Sequence, residues 1–256
     1  MTVNLHTHTY RCGHASGTPE QYIKRAIKNG IKIMGFSEHA PCASLEEVSR
    51  FRLPCAQIKD YFNELNALRE KYKDDIEIYI GFEMEYYPER FEEMYTLAKQ
   101  NGADYLILGQ HFTKNEHPDG VYVGITPKPA KVLTDYVNSV IDGIKKGVFT
   151  YICHPDVIVY TEDDVFYEKE ITRLCEVAKE YDIPLEINFY GIRDNRFYPF
   201  DKFWEIAGKV GCSAVYGFDA HDTASAYDGA SISAADALVR KYGLKLCESP
   251  KIVQLH

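Results

Sequence analysis

The stretch Val3-Asn-Leu-His-Thr-His8 decides the fold of this chain, because a short apolar strand ends there in two histidines one residue apart. Alternate side chains of a strand point to the same side of its sheet, so His6 and His8 share one face. A helix follows, which begins at Thr18-Pro19 and ends at Asn29-Gly30. A second apolar run comes directly after it, so the chain opens with a β-α-β unit.

The same alternation continues to the end of the chain, and it is typical of β/α units around a parallel sheet. The predicted strands are Val3–His6, Ile31–Phe36, Ile76–Phe82, Tyr105–Leu108, Tyr151–Cys153, Leu185–Ile187 and Ala214–Gly217. The further predicted helices are Ile58–Tyr72, Phe91–Asn101, Lys128–Lys146, Phe166–Tyr181, Phe200–Val210 and Ile232–Tyr242. Seven units without a linker predict a single domain, residues 1–256, built as a barrel with one unit fewer than the usual eight.

The composition excludes several classes of protein. Of 256 residues, 45% are hydrophobic and 26% are charged, as in a globular protein rather than a disordered or coiled-coil chain. The net charge of −9 argues against a surface that binds long nucleic acids or anionic membranes. No apolar run approaches the ~20 residues of a membrane span, and we expect no secretory signal. Seven cysteines without a C-x-x-C pair indicate reduced thiols in a cytoplasmic protein.

Most of the nine histidines stand where predicted strands end. Those at strand ends are His6, His8, His39, His111, His154 and His221, and His14 follows the first strand closely. Glu83 closes the third strand, and Asp219 lies two residues before His221 at the end of the seventh. Active sites of parallel barrels lie at the carboxyl ends of the strands, so we expect these side chains to meet.

Imidazole and carboxylate groups in this number indicate a metal centre. They are the protein ligands of Zn²⁺, Mn²⁺ and Fe, with roughly three to five donors for each ion. Nine donors, one of them a bridging carboxylate, are enough ligands for three divalent ions. Sites with several metal ions commonly hydrolyse phosphate esters. Any one of these residues alone is more often structural, and we assign His117 and His256 to that class. Their joint position at the strand ends carries the prediction.

The run Leu5-His-Thr-His-Thr-Tyr-Arg-Cys-Gly-His14 resembles the opening of the polymerase and histidinol phosphatase (PHP) family, and within it the histidinol-phosphate phosphatases. The other similar segments are Gly35–His39, Arg52–Pro54, Gly81–Tyr86, Gly109–Phe112, His154–Asp156, Glu186–Asn188, Tyr190-Gly191 and Phe218–Asp222. The H-x-H pair alone is also found in amidohydrolases, but the ordered set is specific and covers nearly the whole chain. The resemblance implies a distorted (β/α)₇ barrel, a TIM-like PHP fold, with three metal ions.

The resemblance also implies how the ligands are shared. His6, His8, Glu83 and Asp219 would hold the first ion. Glu83 would bridge to a second ion held by His111 and His154, and His14, His39 and His221 would hold the third. Every ligand of the family pattern is present. Glu83, Asp219 and His221 are the expected catalytic residues, the last two as candidate acids for the leaving group.

The implied activity is hydrolysis of L-histidinol phosphate to L-histidinol and phosphate in histidine biosynthesis, by in-line attack of a hydroxide that bridges two ions. Arg193 and Arg196, after the sixth strand, and Arg11 are candidate phosphate ligands. The chain departs from the family pattern at Val157–Thr161, where an arginine is often found after the motif at His154. Another small phosphorylated metabolite or a nucleotide is therefore an alternative substrate.

Other residues near the strand ends have predicted supporting roles. Tyr86, Tyr87, Phe112 and Tyr190 could wall a pocket for a flat ring, and Glu85 and Asn188 could hold ligands or substrate in place. An amidohydrolase is a less favoured alternative, because such enzymes often need a carbamylated lysine where this chain has Glu83, His111 and His154. Nothing in the sequence favours a metal-binding module without turnover.

Overall fold

Parallel strands form the centre of the molecule, and their order follows the chain. In the computed structural model, which describes residues 1–255, four strands form one sheet in chain order: β1 (Val3–Asn4), β2 (Ile33–His39), β3 (Glu77–Met84) and β4 (Tyr105–Leu108). A second sheet contains β5 (Leu185–Asn188), β6 (Ser213–Gly217) and β7 (Lys245–Leu246). All pairs of neighbouring strands are parallel. The expected β/α fold is confirmed.

Isolated parallel bridges join the two sheets into a ring. Ile152 bridges Leu108 of β4 on one side and Leu185 of β5 on the other. Beyond the ends of β1 and β6, Thr7 and Ala220 form another parallel bridge. The predicted strand Tyr151–Cys153 is therefore too long, since only its middle residue pairs with the neighbouring strands. The barrel is distorted at this position, as the (β/α)₇ fold implies.

Helices surround the strands. They are α1 (Pro19–Lys28), α2 (Ile58–Lys71), α3 (Phe91–Gln100), α4 (Ala130–Lys145), α5 (Asp164–Glu180), α6 (Phe189–Arg193), α7 (Asp201–Val210) and α8 (Gly229–Tyr242). Short 3₁₀ helices cover Tyr10–Cys12, Ala43–Leu45 and Cys55–Gln57. None of the helices in residues 1–255 has the length and apolar character of a membrane span. The assignment of residues 1–256 to one domain stays a prediction, and His256 lies outside the described residues.

Local sequence signals account for most of these boundaries. Thr18 accepts a hydrogen bond from the Gln21 N–H while the Gln21 side chain accepts one from the Thr18 N–H, which forms a capping box at the start of α1. Asp163 caps α5 and Asp228 caps α8, so both helices begin earlier than predicted. Helix α6 and strand β7 were not predicted, because each is too short to show a periodic pattern.

The register of β2 with β3 places two predicted ligands side by side. β2 extends three residues beyond the predicted end at Phe36, and its last residue, His39, pairs with Glu83. The strand continues because the whole segment Met34–His39 is buried and paired with β3. Strand register thus brings an imidazole and a carboxylate together at the rim of the barrel.

The barrel interior below the rim is filled by a compact group of side chains. They are Val3, Leu5, Tyr105, Ile107, Tyr151, Cys153 and Val215. Tyr105 fits only because β2 and β3 carry glycine beside it: a Cβ on Gly81 would lie 2.1 Å from the Tyr105 carbonyl oxygen, and one on Gly35 would lie 2.2 Å from its hydroxyl. That hydroxyl donates to the Leu5 carbonyl at 2.7 Å. Packed side chains therefore fill the interior of the barrel beneath the carboxyl ends of the strands.

Asn4 joins the first strand to the last part of the ring. Its Oδ1 accepts a hydrogen bond from the Phe218 N–H at 2.9 Å, and its Nδ2 donates to Thr7 Oγ1 at 2.9 Å. The side chain is buried, and these bonds hold the ends of β1 and β6 together just below His6 and Asp219. This amide therefore adds a side-chain link between β1 and the residue that follows β6, beside the backbone bonds of His6 and His8 to Ala220.

We predict that Asn4→Ala destabilises the fold by about 1–3 kcal/mol, since it leaves the buried Phe218 N–H without a partner. The measurement is urea unfolding followed by circular dichroism. Asn66→Ala, at an exposed position of α2, is the matched control and should not lower the midpoint, because alanine has the higher helix propensity. Equal midpoints for the two variants would contradict the role of Asn4.

Candidate metal centre

The predicted ligands converge on one cavity at the carboxyl ends of the strands. The cavity has a volume of about 410 Å³, and seven predicted ligands line it: His14, His39, Glu83, His111, His154, Asp219 and His221. His6 and His8 are fully buried beside them. The His8 ring centroid lies 4.2 Å from that of His221 and 4.3 Å from that of His39. The structure therefore brings all nine residues together.

Glu83 lies at the centre of this group. Its Oε1 is 2.8 Å from His154 Nε2 and 3.5 Å from His111 Nε2. Its Oε2 is 3.1 Å from His39 Nδ1 and 3.5 Å from His6 Nε2. Each oxygen faces a different set of imidazoles, which is the arrangement that a bridging carboxylate requires.

Asp219 is the second carboxylate of the group. Its Oδ1 lies 3.2 Å from His8 Nε2, 3.5 Å from His6 Nε2 and 3.3 Å from His221 Nδ1. The ligand atoms of His6, His8 and Asp219 all lie within 4.8 Å of one another, close enough to hold one metal ion together. The sets His6, Glu83, His154 and His8, His39, His221 meet the same criterion.

His14 stands apart from the other histidines because it is exposed at the rim. Its ring centroid is 4.7 Å from that of His221 and 5.4 Å from that of His39. Its Nδ1 lies 3.1 Å from the Cys12 carbonyl oxygen, so Nδ1–H donates there and Nε2 carries the lone pair. This geometry leaves His14 able to bind an ion at the mouth of the cavity.

The residues fit divalent ions, because several of their buried ligand atoms have no protein partner. The atoms without a hydrogen bond are His6 Nε2, His8 Nε2, His39 Nδ1, His221 Nε2 and Glu83 Oε2. Buried polar atoms are normally paired, and these face one another across a small space. Nitrogen and carboxylate donors in such a group are what Zn²⁺ and similar ions bind.

Three histidines are held in place by buried carboxylates behind them. The Nδ1 atoms of His6, His8 and His111 lie 2.8, 3.4 and 3.0 Å from Glu186, Glu38 and Glu85 respectively. Each bond fixes the imidazole tautomer, so that Nε2 is free to bind a metal ion. The sequence predicts such a role for Glu85, whereas the roles of Glu38 and Glu186 emerge only from the structure. A charged residue inside an apolar strand was the available signal, since burying it without a partner is costly.

The backbone turns sharply at two of the predicted ligands. The φ angles of His154 and Asp219 are 27° and 47°, in a region that residues other than glycine rarely adopt. Asn188 holds one of these turns, because its Nδ2 donates to Asp219 Oδ2 at 3.1 Å and to Glu186 Oε2 at 2.8 Å. Strained backbone of this kind is concentrated at functional sites.

Electrostatics set the protonation states. Burial raises the pKa of Glu83 and of Asp219, but the surrounding histidines outweigh burial and hold both pKa values well below the usual range. Burial and the neighbouring His8 lower the pKa of His221 to about 3. Burial also lowers the pKa of His8, yet the adjacent carboxylates of Asp219 and Glu38 outweigh it and raise this pKa to about 9. Metal binding at His8 would therefore release a proton.

The three predicted phosphate ligands have different surroundings. Arg193 Nη1 pairs with Asp228 at 2.9 Å, and its Nη2 donates to the Asp219 carbonyl oxygen at 3.3 Å. Arg11 pairs with Glu64 at 2.6 Å, and neither Arg193 nor Arg11 lines the cavity. Arg196 does line it.

Arg196 and Arg50 are the cations on the cavity wall. The Arg196 guanidinium lies 4.1 Å from the Tyr190 ring centroid and donates to the Tyr190 hydroxyl at 2.7 Å. Arg50 is exposed and was missed by the sequence analysis, because it lies in an irregular segment with no distinguishing pattern.

Aromatic side chains form the rest of the wall. Of the four that the sequence predicted, Phe112 and Tyr190 line the cavity, whereas Tyr86 and Tyr87 do not. The other aromatic residues of the wall are Phe51, Tyr122 and Tyr198. Phe51 stacks on Phe112 with ring centroids 6.0 Å apart and an interplanar angle of 16°.

A family of known proteins, and individual relatives, are similar to this chain in sequence. The sequence model of the PHP domain matches residues 4–189. A probable histidinol-phosphatase of Deinococcus radiodurans is 25% identical over an alignment of 226 positions that covers 84% of this chain and 85% of that protein. A probable histidinol-phosphatase of Schizosaccharomyces pombe is 26% identical over an alignment of 252 positions that covers 86% of this chain and 81% of the relative.

Solved structures show the same fold. The crystal structure of a histidinol phosphate phosphatase from Lactococcus lactis, complexed with zinc, L-histidinol and phosphate, superposes with a TM-score of 0.72. The superposition covers 100% of this chain and 98% of that chain at 18% sequence identity. The TIM-like barrel expected from the sequence is thereby confirmed.

We predict that Glu83→Gln loses at least one metal ion per chain, because the amide keeps the shape but removes the charge and one good ligand oxygen. Metal content per chain, measured by inductively coupled plasma mass spectrometry, tests this. Glu89→Gln, on the exposed surface, is the matched control, and His117→Ala, also exposed, should likewise retain the full content. Full metal content in Glu83→Gln would exclude the bridging role.

Proposed function

This chain belongs to the PHP domain family, and we propose that it is a metal-dependent phosphatase that hydrolyses L-histidinol phosphate to L-histidinol and phosphate. The observation that carries the proposal is the convergence of seven imidazoles and two carboxylates on one cavity. The names of the relatives, two of them probable histidinol-phosphatases, support the choice of substrate. The corresponding process would be histidine biosynthesis.

We propose three divalent ions per chain, with the ligands divided as the family resemblance implies. The first set is His6, His8, Glu83 and Asp219, the second is Glu83, His111 and His154, and the third is His14, His39 and His221. Support comes from the positions of the two Glu83 oxygens, each of which faces a different set of imidazoles. Zn²⁺, Mn²⁺ and Fe all suit these donors. When bound, such ions supply a nucleophile at neutral pH and offset the charge of the phosphoryl oxygens.

The protein groups at the centre bind and orient rather than donate protons. The pKa of Asp219 is held well below its usual range, chiefly by His6 acting against burial, and that of His221 is lowered to about 3. Neither group carries an acidic proton at neutral pH. We therefore infer that both act as ligands rather than as the acid that protonates the leaving alkoxide.

Arg196 and Arg50 are the proposed phosphate-binding residues. A guanidinium group binds two phosphoryl oxygens at once, and both side chains line the cavity. Val157, which lines the wall, belongs to the stretch Val157–Thr161, where the family pattern often has an arginine and this chain has none. We propose that Arg196, held against Tyr190, supplies the positive charge from another part of the wall.

The aromatic wall suits a flat organic group next to the phosphate. Phe51 stacks on Phe112, and Tyr122 packs edge-on against Phe112 with ring centroids 5.2 Å apart. An imidazole ring of the substrate could stack on these rings. A different small phosphate ester with a ring is the second candidate, and it is favoured by the absence of the family arginine from Val157–Thr161. An amidohydrolase is less favoured, because no lysine is among the described residues that line the cavity.

We predict that protein reconstituted with Mn²⁺ or Zn²⁺ releases phosphate from L-histidinol phosphate far faster than from p-nitrophenyl phosphate. The assay is inorganic phosphate release at saturating substrate. Glu83→Gln should lower turnover by about 10³-fold or more, comparable to the loss of a principal electrostatic group. Equal rates on both esters would point instead to another phosphorylated substrate, and a panel of small phosphorylated metabolites would then identify it.

Arg196→Ala should raise KM for L-histidinol phosphate by about 10-fold or more, since it removes a charged phosphate contact. Steady-state kinetics at saturating metal measures this. Arg240→Ala, at an exposed position of α8, is the matched control and should leave KM unchanged. Arg193→Ala should instead lower the melting temperature, because it leaves the buried Asp228 carboxylate without its partner. An unchanged KM in Arg196→Ala would remove this residue from the phosphate site.

A further inference from the structure

A buried arginine forms ion pairs with two carboxylates that lie on different sides of the site. Arg52 Nη1 donates to Glu85 Oε2 at 2.9 Å, and Nη2 donates to Glu116 Oε2 at 2.6 Å. Nη1 also donates to the Ala40 carbonyl oxygen at 3.1 Å, at the end of β2. The side chain of Arg52 is only 5% exposed, and those of the two carboxylates are 1% and 7% exposed.

The first carboxylate, Glu85, contacts a proposed ligand of the metal centre. Glu85 uses its other oxygen, Oε1, to accept a hydrogen bond from His111 Nδ1 at 3.0 Å. The opposite nitrogen of this imidazole, Nε2, faces Glu83 Oε1 at 3.5 Å. Arg52 therefore holds the carboxylate that sets the orientation of a proposed metal ligand.

The second carboxylate, Glu116, lies in a loop next to the wall of the cavity. Glu116 belongs to the loop 113–121, whose two ends are continuous with Phe112 and Tyr122, two residues of the aromatic wall. These two residues form an antiparallel bridge, so the loop is closed at its base.

Glu116 has an unusual backbone conformation and close contacts within this loop. Its φ angle of 65° lies in the left-handed region, and the Tyr87 hydroxyl donates to its Oε2 at 3.2 Å. The loop packs tightly here, because a Cβ on Gly120 would lie 2.2 Å from the Glu116 carbonyl oxygen. A strained backbone of this kind persists only where surrounding contacts hold it. Arg52 holds the Glu116 side chain, and Arg90 donates to the Asn115 and His117 carbonyl oxygens of the same loop.

We propose that Arg52 is a positioning residue that sets both the metal ligand His111, through Glu85, and the substrate wall, through Glu116. A buried ion network of this kind is a poor device for stability alone, because well-packed apolar residues of similar volume stabilise a fold equally well. The planar guanidinium has a fixed fork of donors, so it can orient two carboxylates at a defined angle. The part that concerns the wall rests on the proposed function, whereas the part that concerns His111 does not.

The two branches can be separated by Glu85→Gln and Glu116→Gln. Glu85→Gln should weaken the binding of one metal ion by about 10- to 100-fold, measured by competition with a chromophoric chelator for Zn²⁺ added to the metal-free protein. Glu116→Gln should keep wild-type metal affinity but raise KM for L-histidinol phosphate by about 10-fold, with little change in kcat at saturating metal. Glu89→Gln is the exposed control for both measurements.

Arg52 itself is tested by Arg52→Gln and Arg52→Lys. Arg52→Gln should show the metal defect and the KM defect together. Arg52→Lys should rescue at most one of them, because an ammonium group cannot reproduce the fork. If Arg52→Gln does not fold, the two glutamate variants still decide the question.

The outcomes distinguish the two proposals. Wild-type metal affinity in Glu85→Gln, or a metal defect in Glu116→Gln equal to that of Glu85→Gln, would overturn the division of roles and leave Arg52 as a general stabilising residue. If the wild-type protein does not hydrolyse L-histidinol phosphate, the proposed function fails. The chelator competition needs no substrate, so it still tests the link from Arg52 to His111.

Discussion

Buried imidazole and carboxylate groups need hydrogen-bond partners or bound cations, and the rest of this structure depends on that need. Glu83 and Asp219 lie in the interior among seven histidines, and several ligand atoms face one another without a protein partner. Burying polar groups costs free energy unless a group of opposite charge or a hydrogen-bond partner lies between them. Divalent cations meet that requirement. The register that pairs His39 with Glu83 and the bridge between Thr7 and Ala220 both serve to close this group.

Support for the ligands comes from a ring of acids behind them. Glu186, Glu38 and Glu85 each accept a hydrogen bond from a histidine whose other nitrogen faces the centre. These acids are themselves held by backbone N–H groups and side chains: Glu38 accepts from the Thr9 N–H and hydroxyl, and Glu186 from the His154 N–H. Such a layered arrangement fixes tautomers and ring orientations before any ion binds. The solid interior around Tyr105 gives these residues a rigid base.

The cavity above the centre combines charge with an apolar wall. The chain as a whole carries a net charge of −9, yet the cavity wall holds Arg50 and Arg196, and bound cations would add local positive charge. Local charges dominate the potential inside a cleft, because salt screens the distant surface groups. An acidic protein can therefore bind a phosphate ester here. The aromatic residues Phe51, Phe112 and Tyr122 give the same cavity a face for the rest of the substrate.

The sequence by itself determined the fold and located the centre. Alternation of apolar runs and amphipathic helices is a local pattern, and the strands and helices that it predicted are present within a few residues, with Tyr151–Cys153 as the exception in extent. Histidines at strand ends could be placed on one rim because parallel strands of a barrel all end on the same side. Tertiary structure alone decided what the arginines do. Arg11 and Arg193 pair with Glu64 and Asp228, which are 53 and 35 residues away in the chain, and Arg52 joins acids 33 and 64 residues away. A long, flexible, charged side chain takes the partner that folding brings near it, and no local pattern in the sequence records that choice.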